Sequence, residues 1–177
     1  MSKNGKYVFL DRDGTIGGNY DMEFPTDFYP YPHSQEGIDL LEKAGFTLII
    51  VSNQSCIARK KDHGFDFKSE YRAMGIDDEF ICPHDQEDGC DCRKPASGLF
   101  YQAQKKYGMD LTQSYMIGDR WSDMVAGGAV GVHLILVTTG RGKEALQIDR
   151  EKWNAYRPDY VCSNLLEAAC WIMKGYK

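Results

Sequence analysis

At 177 residues, with 42% hydrophobic and 27% charged side chains, the chain has the make-up of a globular protein able to bury a substantial core, which excludes a disordered or fibrous class. A net charge of −5 argues against a nucleic-acid backbone as partner, although a local cluster of cations would still admit a phosphorylated substrate. No apolar stretch approaches the roughly 20 residues of a membrane span. Asp11 and Arg12 interrupt what would otherwise lead into a signal-peptide core, so a cytoplasmic location is expected.

The first apolar run, Tyr7–Leu10, predicts a buried strand, with the carboxylates of Asp11 and Asp13 directly after it and a turn at Gly14. Such a pair is costly to bury, and a divalent cation with oxygen ligands would relieve the repulsion. The stretch 14–33, rich in Pro, Tyr, Asp and Phe, reads as a flap over the site. Gly37–Ala44 carries Ile38, Leu40, Leu41 and Ala44 at helical spacing and is stopped by Gly45. Phe46–Ser52 is a second strand, delivering Ser52 and Asn53 at its end. The basic and then aromatic segment Cys56–Lys68 has no clear periodicity.

Glu79–Cys82 is a third strand, followed by the cysteine-rich stretch that ends in Arg93 and Lys94. A helix is predicted over Gly98–Tyr107, stopped by Gly108. A strand over Ser114–Ile117 then leads to the acid pair Asp119 and Asp123. A helix over Trp121–Ala126 would take Ser122 as its cap. Strands over Val132–Val137 and Tyr160–Cys162 follow. The last helix starts from the pair Asn164 and Glu167 and carries Leu165, Leu166, Ala169, Ile172 and Met173 as its core stripe. Strands alternating with helices predict an α/β fold: a Rossmann-like parallel sheet with helices on both faces, one domain over 1–177 and no separate cap domain. All the acidic and basic motifs then fall at the carboxyl ends of strands, where such sheets bind ligands.

Acid pair, hydroxyl, lysine and acid pair, in that order, resemble the haloacid dehalogenase-like phosphatases. Within them, Asp11-Arg12-Asp13-Gly14-Thr15-Ile16, Asn53-Gln54-Ser55 and Cys90-Asp91-Cys92-Arg93-Lys94-Pro95 are similar to the group of heptose 1,7-bisphosphate and histidinol phosphate phosphatases. The resemblance runs from about Tyr7 to Val137. It implies Mg²⁺-dependent hydrolysis of a phosphate monoester through an aspartyl-phosphate on Asp11, with Asp13 as general acid and then base. It further implies Mg²⁺ held by Asp11, the Asp13 carbonyl and Asp119. Asp123 would bind the metal through water or orient Lys94. Ser52, the Asn53 N–H and Lys94 would bind the phosphoryl oxygens, and Arg93 a second anionic group or a substrate hydroxyl.

Cys82, His84, Cys90 and Cys92 lie within eleven positions and match a tetrahedral, structural Zn²⁺ site that pins the loop 82–92. Five residues between His84 and Cys90 resemble the histidinol phosphatase pattern, whereas Asn53-Gln54-Ser55 and Ile57-Ala58-Arg59 are nearer the heptose enzymes. Cys56 stands where the group usually has Gly, Gly17-Gly18 departs from its pattern, and the stretch from Arg59 to Phe80 is shorter. The expected substrate is D-glycero-D-manno-heptose 1,7-bisphosphate, losing its 7-phosphate, with histidinol phosphate and a 3′-end nucleic-acid phosphate as the alternatives. The expected partner is a small phosphorylated metabolite, with no nucleic acid and no membrane, and the chain is expected to be a monomer. His33, His63 and His133 carry no assigned role, and Trp121 reads as a core indole.

Overall fold

The computed structural model describes residues 5–18 and 22–175. Its centre is a sheet of six parallel strands: β1 (Tyr7–Leu10), β2 (Thr47–Asn53), β3 (Asp78–Cys82), β4 (Tyr115–Gly118), β5 (His133–Val137) and β6 (Tyr160–Cys162). Their spatial order is β3-β2-β1-β4-β5-β6. The chain therefore builds outward from β1 to one edge, then returns to lay β4 on its other side. That reversal opens a crevice at the carboxyl ends of β1 and β4, the position at which open parallel sheets bind ligands.

Strand side chains alternate between two apolar layers, as a sheet covered on both faces requires. Val8, Leu10, Leu48, Ile50, Ile117 and Ile135 face one layer, and Phe9, Ile49, Val51, Met116 and Leu134 the other. The first layer is closed by α1 (Ser34–Lys43), α3 (Phe67–Ala73) and α7 (Leu165–Met173). The second is closed by α4 (Gly98–Tyr107), α5 (Trp121–Gly128) and α6 (Gly142–Gln147). The short α2 (Ser55–Ala58) follows β2 at the crevice. Among the described residues, no helix is long and apolar enough to cross a membrane.

Several elements differ from the sequence expectation. Helix α1 begins at Ser34, because that hydroxyl donates to the Ile16 carbonyl (2.7 Å) and the polar first turn carries no apolar stripe. Ser122 does not cap α5: Arg120 is the N-cap, its N–H donating to Asp123 (3.0 Å), and Ser122 is buried in the first turn. In α7, Asn164 caps by accepting from the Glu167 N–H (3.0 Å), but the buried stripe is Leu165, Ala168, Ala169 and Ile172. Leu166 is half-buried and Met173 exposed. Helix α3 lies in the aromatic segment without clear periodicity; Asp66 caps it and Phe67 and Tyr71 bury its inner face.

The stretch after Asp13 crosses the crevice. Gly18 N–H donates to the Tyr29 carbonyl (2.9 Å) and Tyr31 N–H to that of Ile16 (2.9 Å), so its two limbs pair as a short ribbon. Residues 19–21 of the expected flap lie outside the described residues.

Candidate active site

Asp11 is the first residue past β1, and its N–H still donates to the Ile117 carbonyl of β4 (3.0 Å), which fixes it at the reversal of strand order. Lys94 arrives from the loop after β3. Its ammonium lies 2.7 Å from Asp11 Oδ1 and 2.6 Å from Asp123 Oδ1, and donates to the Val51 carbonyl (2.7 Å). All three ionic side chains are buried. Burial works against the Lys94 charge, but Asp11 and Asp123 outweigh it and hold the ammonium above its ordinary pKa. Asp123 therefore pairs with Lys94 directly. The Lys94 backbone is clamped in turn by Asn53, whose Oδ1 accepts from Lys94 N–H (3.0 Å) and whose amide donates to Lys94 O (2.9 Å).

Asp119 follows β4 and is fully buried. Thr15 Oγ1 donates to its Oδ1 (3.2 Å) and Arg141 N–H to its Oδ2 (2.7 Å). Burial first, then the charges of Asp11 and Asp123, push its carboxyl up to about 8. Carboxylate oxygens of Asp11, Asp119 and Asp123 lie within 4.8 Å of one another. Gly14 (φ 94°) and Gly140 (φ 49°) close over this cluster, and a Cβ on either would collide with Asp119 Oδ2. One lysine does not balance three acids, so the set fits a small hard cation such as Mg²⁺, with Asp11 and Asp119 as carboxylate ligands.

Asp13 lines the cleft between two donors. Arg12 Nη1 lies 2.6 Å from its Oδ1, and Gln54 Nε2 donates to its Oδ2 (2.6 Å) and to Ser52 Oγ (2.8 Å). Burial raises the Asp13 carboxyl above the usual range against the pull of Arg12. Arg12 and Gln54, both buried, were not picked out from sequence as site residues. A charged residue between two candidate catalytic acids was a readable signal for Arg12. Gln54 stands inside Asn53-Gln54-Ser55, where nothing adjacent in sequence defines its role.

The loop after β3 brings Cys82, His84, Cys90 and Cys92 together. Cys82–Cys90 and Cys90–Cys92 sulfurs are 3.5 Å apart, and His84 Nδ1 is 3.6 Å from Cys82 and 3.3 Å from Cys92. A zinc tetrahedron with bonds of about 2.3 Å to sulfur has edges of about 3.8 Å, so the donor set fits Zn²⁺ through Nδ1 of His84. Burial first, then the packed thiols of Cys82 and Cys90, push Cys92 up to about 12, a repulsion between thiolates that a cation would remove. The loop is tied to the cleft: Arg93 Nη1 donates to His84 O (3.0 Å) and Ser55 Oγ (2.9 Å), and Arg59 pairs with Asp85 (2.6 Å). Stripping zinc with a strong chelator is expected to lower the melting temperature by at least about 6 °C, by the usual scaling for a domain of this size. Phosphate release should decay in parallel, since Arg93 and Lys94 end the loop. Unchanged stability and activity in metal-free protein would defeat the structural role.

These residues line one cleft of ≈ 450 Å³, with Asp11, Asp13, Ser52 and Lys94 at its floor and Arg59, Lys61, Arg93 and Arg120 around them. Met22, Phe24 and Pro25 of the flap form its other wall. Trp121 lines a smaller neighbouring hollow, with Lys152 over its ring. His33, His63 and His133 lie elsewhere, paired with Glu36, stacked on Phe24 and paired with Asp159.

A family model described as HAD-hyrolase-like matches residues 91–168. The chain is 33% identical, over 100% of its length and 99% of the relative, to the D-glycero-beta-D-manno-heptose-1,7-bisphosphate 7-phosphatase of Escherichia coli O6:H1. It belongs to the haloacid dehalogenase-like phosphatases. The Pseudomonas aeruginosa protein of the same name is 37% identical over 78% of this chain and 84% of the relative. The D,D-heptose 1,7-bisphosphate phosphatase of B. bronchiseptica, solved with magnesium and phosphate, superposes with a TM-score of 0.86 at 28% identity, covering 97% of this chain and 99% of that one. For a haloacid dehalogenase-like phosphatase, a cleft lined by Asp11, Lys94 and Asp123 at the strand reversal, with Asp119 buried beside them, is a setting for phosphoryl transfer.

Proposed function

We propose that this phosphatase removes the 7-phosphate of D-glycero-D-manno-heptose 1,7-bisphosphate, with Asp11 as nucleophile. The chemistry rests on one observation: a buried lysine lies 2.7 Å from Asp11 Oδ1, and both line an open cleft. The substrate rests on likeness to heptose 1,7-bisphosphate 7-phosphatases along the whole chain.

An Asp11 oxygen attacks phosphorus while the ester P–O bond breaks, leaving an aspartyl-phosphate and a sugar alkoxide. Asp13, its carboxyl raised by burial, gives that alkoxide its proton. Now anionic, Asp13 takes a proton from water, which attacks phosphorus and returns Asp11 as a carboxylate. Ser52 Oγ, the Asn53 N–H and Lys94 bind the phosphoryl oxygens as charge builds on them. Mg²⁺ held by Asp11, Asp119 and the Asp13 carbonyl would supply charge neutralisation between two anions. Arg93, with Arg59 and Lys61 near it on the rim, suits a second anionic group of a bisphosphate.

Phosphate release with Mg²⁺ from both heptose 1,7-bisphosphate anomers, histidinol phosphate and a 3′-phosphorylated oligonucleotide tests the reading. The expected result is at least about 100-fold higher kcat/KM for a heptose bisphosphate, a difference of about 2.7 kcal/mol in transition-state binding. Preference for histidinol phosphate would make the short His84–Cys90 loop the better guide. Release from none of them would end the substrate reading.

A further inference from the structure

Arg12 is 1% exposed, and each edge of its guanidinium is occupied. Nε donates to Glu70 Oε2 (2.8 Å) and Nη2 to Glu70 Oε1 (2.9 Å), a bidentate pair across 58 residues of sequence. Nη2 also donates to the Pro25 carbonyl of the flap (3.1 Å), and Nη1 donates to Asp13 Oδ1 (2.6 Å). Phe28 lies against the guanidinium face, 3.9 Å from Cζ to the ring centre, with Phe67 of α3 at 5.5 Å. Because the guanidinium is planar, a carboxylate that holds Nε and Nη2 also fixes the direction in which Nη1 points.

We propose that Glu70 is a positioning residue for Asp13: through Arg12, it sets the angle at which the Asp13 carboxyl meets the leaving oxygen. Two donors then define that carboxyl, Arg12 on one oxygen and Gln54 on the other. Without Glu70, the guanidinium keeps its charge and its contact with Asp13 but loses the anchor for its plane, so the carboxyl can pivot about its bond to Gln54. Helix α3 and the flap thereby enter the chemistry at a distance, since Glu70 and Pro25 share one guanidinium nitrogen. The inference rests on Asp13 acting as the proton donor.

The test compares Glu70→Ala with the parent enzyme on two esters: heptose 1,7-bisphosphate, whose alkoxide must be protonated to leave, and p-nitrophenyl phosphate, whose phenolate need not be. For Glu70→Ala, kcat/KM on the alkyl ester, which reports the steps up to the aspartyl-phosphate and not the later water step that Asp13 also serves, should fall roughly 30-fold. The aryl ester should lose less than about 3-fold. Glu70→Gln, isosteric and still able to accept one bond, should show the same contrast at about a third of the size; it serves if the alanine variant does not fold. Equal losses on both esters, or no loss, overturn the positioning role. With Asp11→Asn run alongside, a parent no faster than that variant on either ester brings down the functional reading itself. An active parent with an indifferent Glu70 brings down only this inference.

Discussion

Replacing Asp11 with Asn is expected to cut phosphate release by at least about 10⁴-fold, the scale on which enzymes that act through a covalent intermediate lose activity with their nucleophile. The amide keeps the shape of the side chain but cannot form the acyl phosphate under turnover conditions. The fold should survive, because Lys94 retains its 2.6 Å pairing with Asp123 and its bond to the Val51 carbonyl. Asp119, pushed up to about 8 partly by Asp11, loses one of the charges that repel it. In the metal-free parent that raised carboxyl favours the folded state when protonated and works against it as pH rises from the ordinary carboxylate range through about 8. The variant should therefore melt within about 4 °C of the parent at pH 8, where a change of 1 kcal/mol corresponds to about 2–4 °C. Rapid-quench trapping of labelled phosphate on the parent, and none on the variant, would complete the case. Retention of more than about one part in a hundred of the parent rate would remove Asp11 as nucleophile.

Lys94→Met should be damaging in two separable ways. Removal of the ammonium strips a donor from the phosphoryl oxygens, worth about 10²–10³-fold in kcat by analogy with oxyanion donors. It also leaves Asp11 and Asp123 buried beside each other without a cation, and breaking a buried pair costs about 3–5 kcal/mol. Pairing the change with Asp123→Asn distinguishes the effects. That double variant has one orphaned charge fewer, so it should regain most of the lost melting temperature and none of the lost activity. Recovery of both together would mean that Lys94 acts only as a counter-ion; recovery of neither would mean that the cost lies in packing.

Much of the cleft was legible because its chemistry is local in sequence. Asp11 and Asp13, Asp119 and Asp123, and the Cys/His group each lie within a few residues at the end of an apolar run, so the fold has only to bring short motifs together. Strand existence was readable for the same reason: runs such as Leu48–Val51 are buried on both faces and need no partner to be recognised. Helix α3 was not readable, since its Phe67 serves both a sheet layer and the guanidinium of Arg12, which blurs any simple period. The start of α1 is not legible in the sequence because a hydrogen bond from Ser34 to Ile16, not an apolar stripe, decides it.

The sequence by itself determined the parallel α/β class, because hydrophobic period acts over a few residues, and it gathered the candidate phosphoryl-transfer residues by resemblance and the candidate zinc ligands by their close spacing. Tertiary structure alone decided the strand order that puts Asp11 beside Asp119, the choice of Asp123 as the partner of Lys94, and the link from Glu70 through Arg12 to Asp13. Those depend on contacts between residues far apart in the chain, which burial and charge select only once the sheet has closed and unpaired buried ions have become too costly to leave.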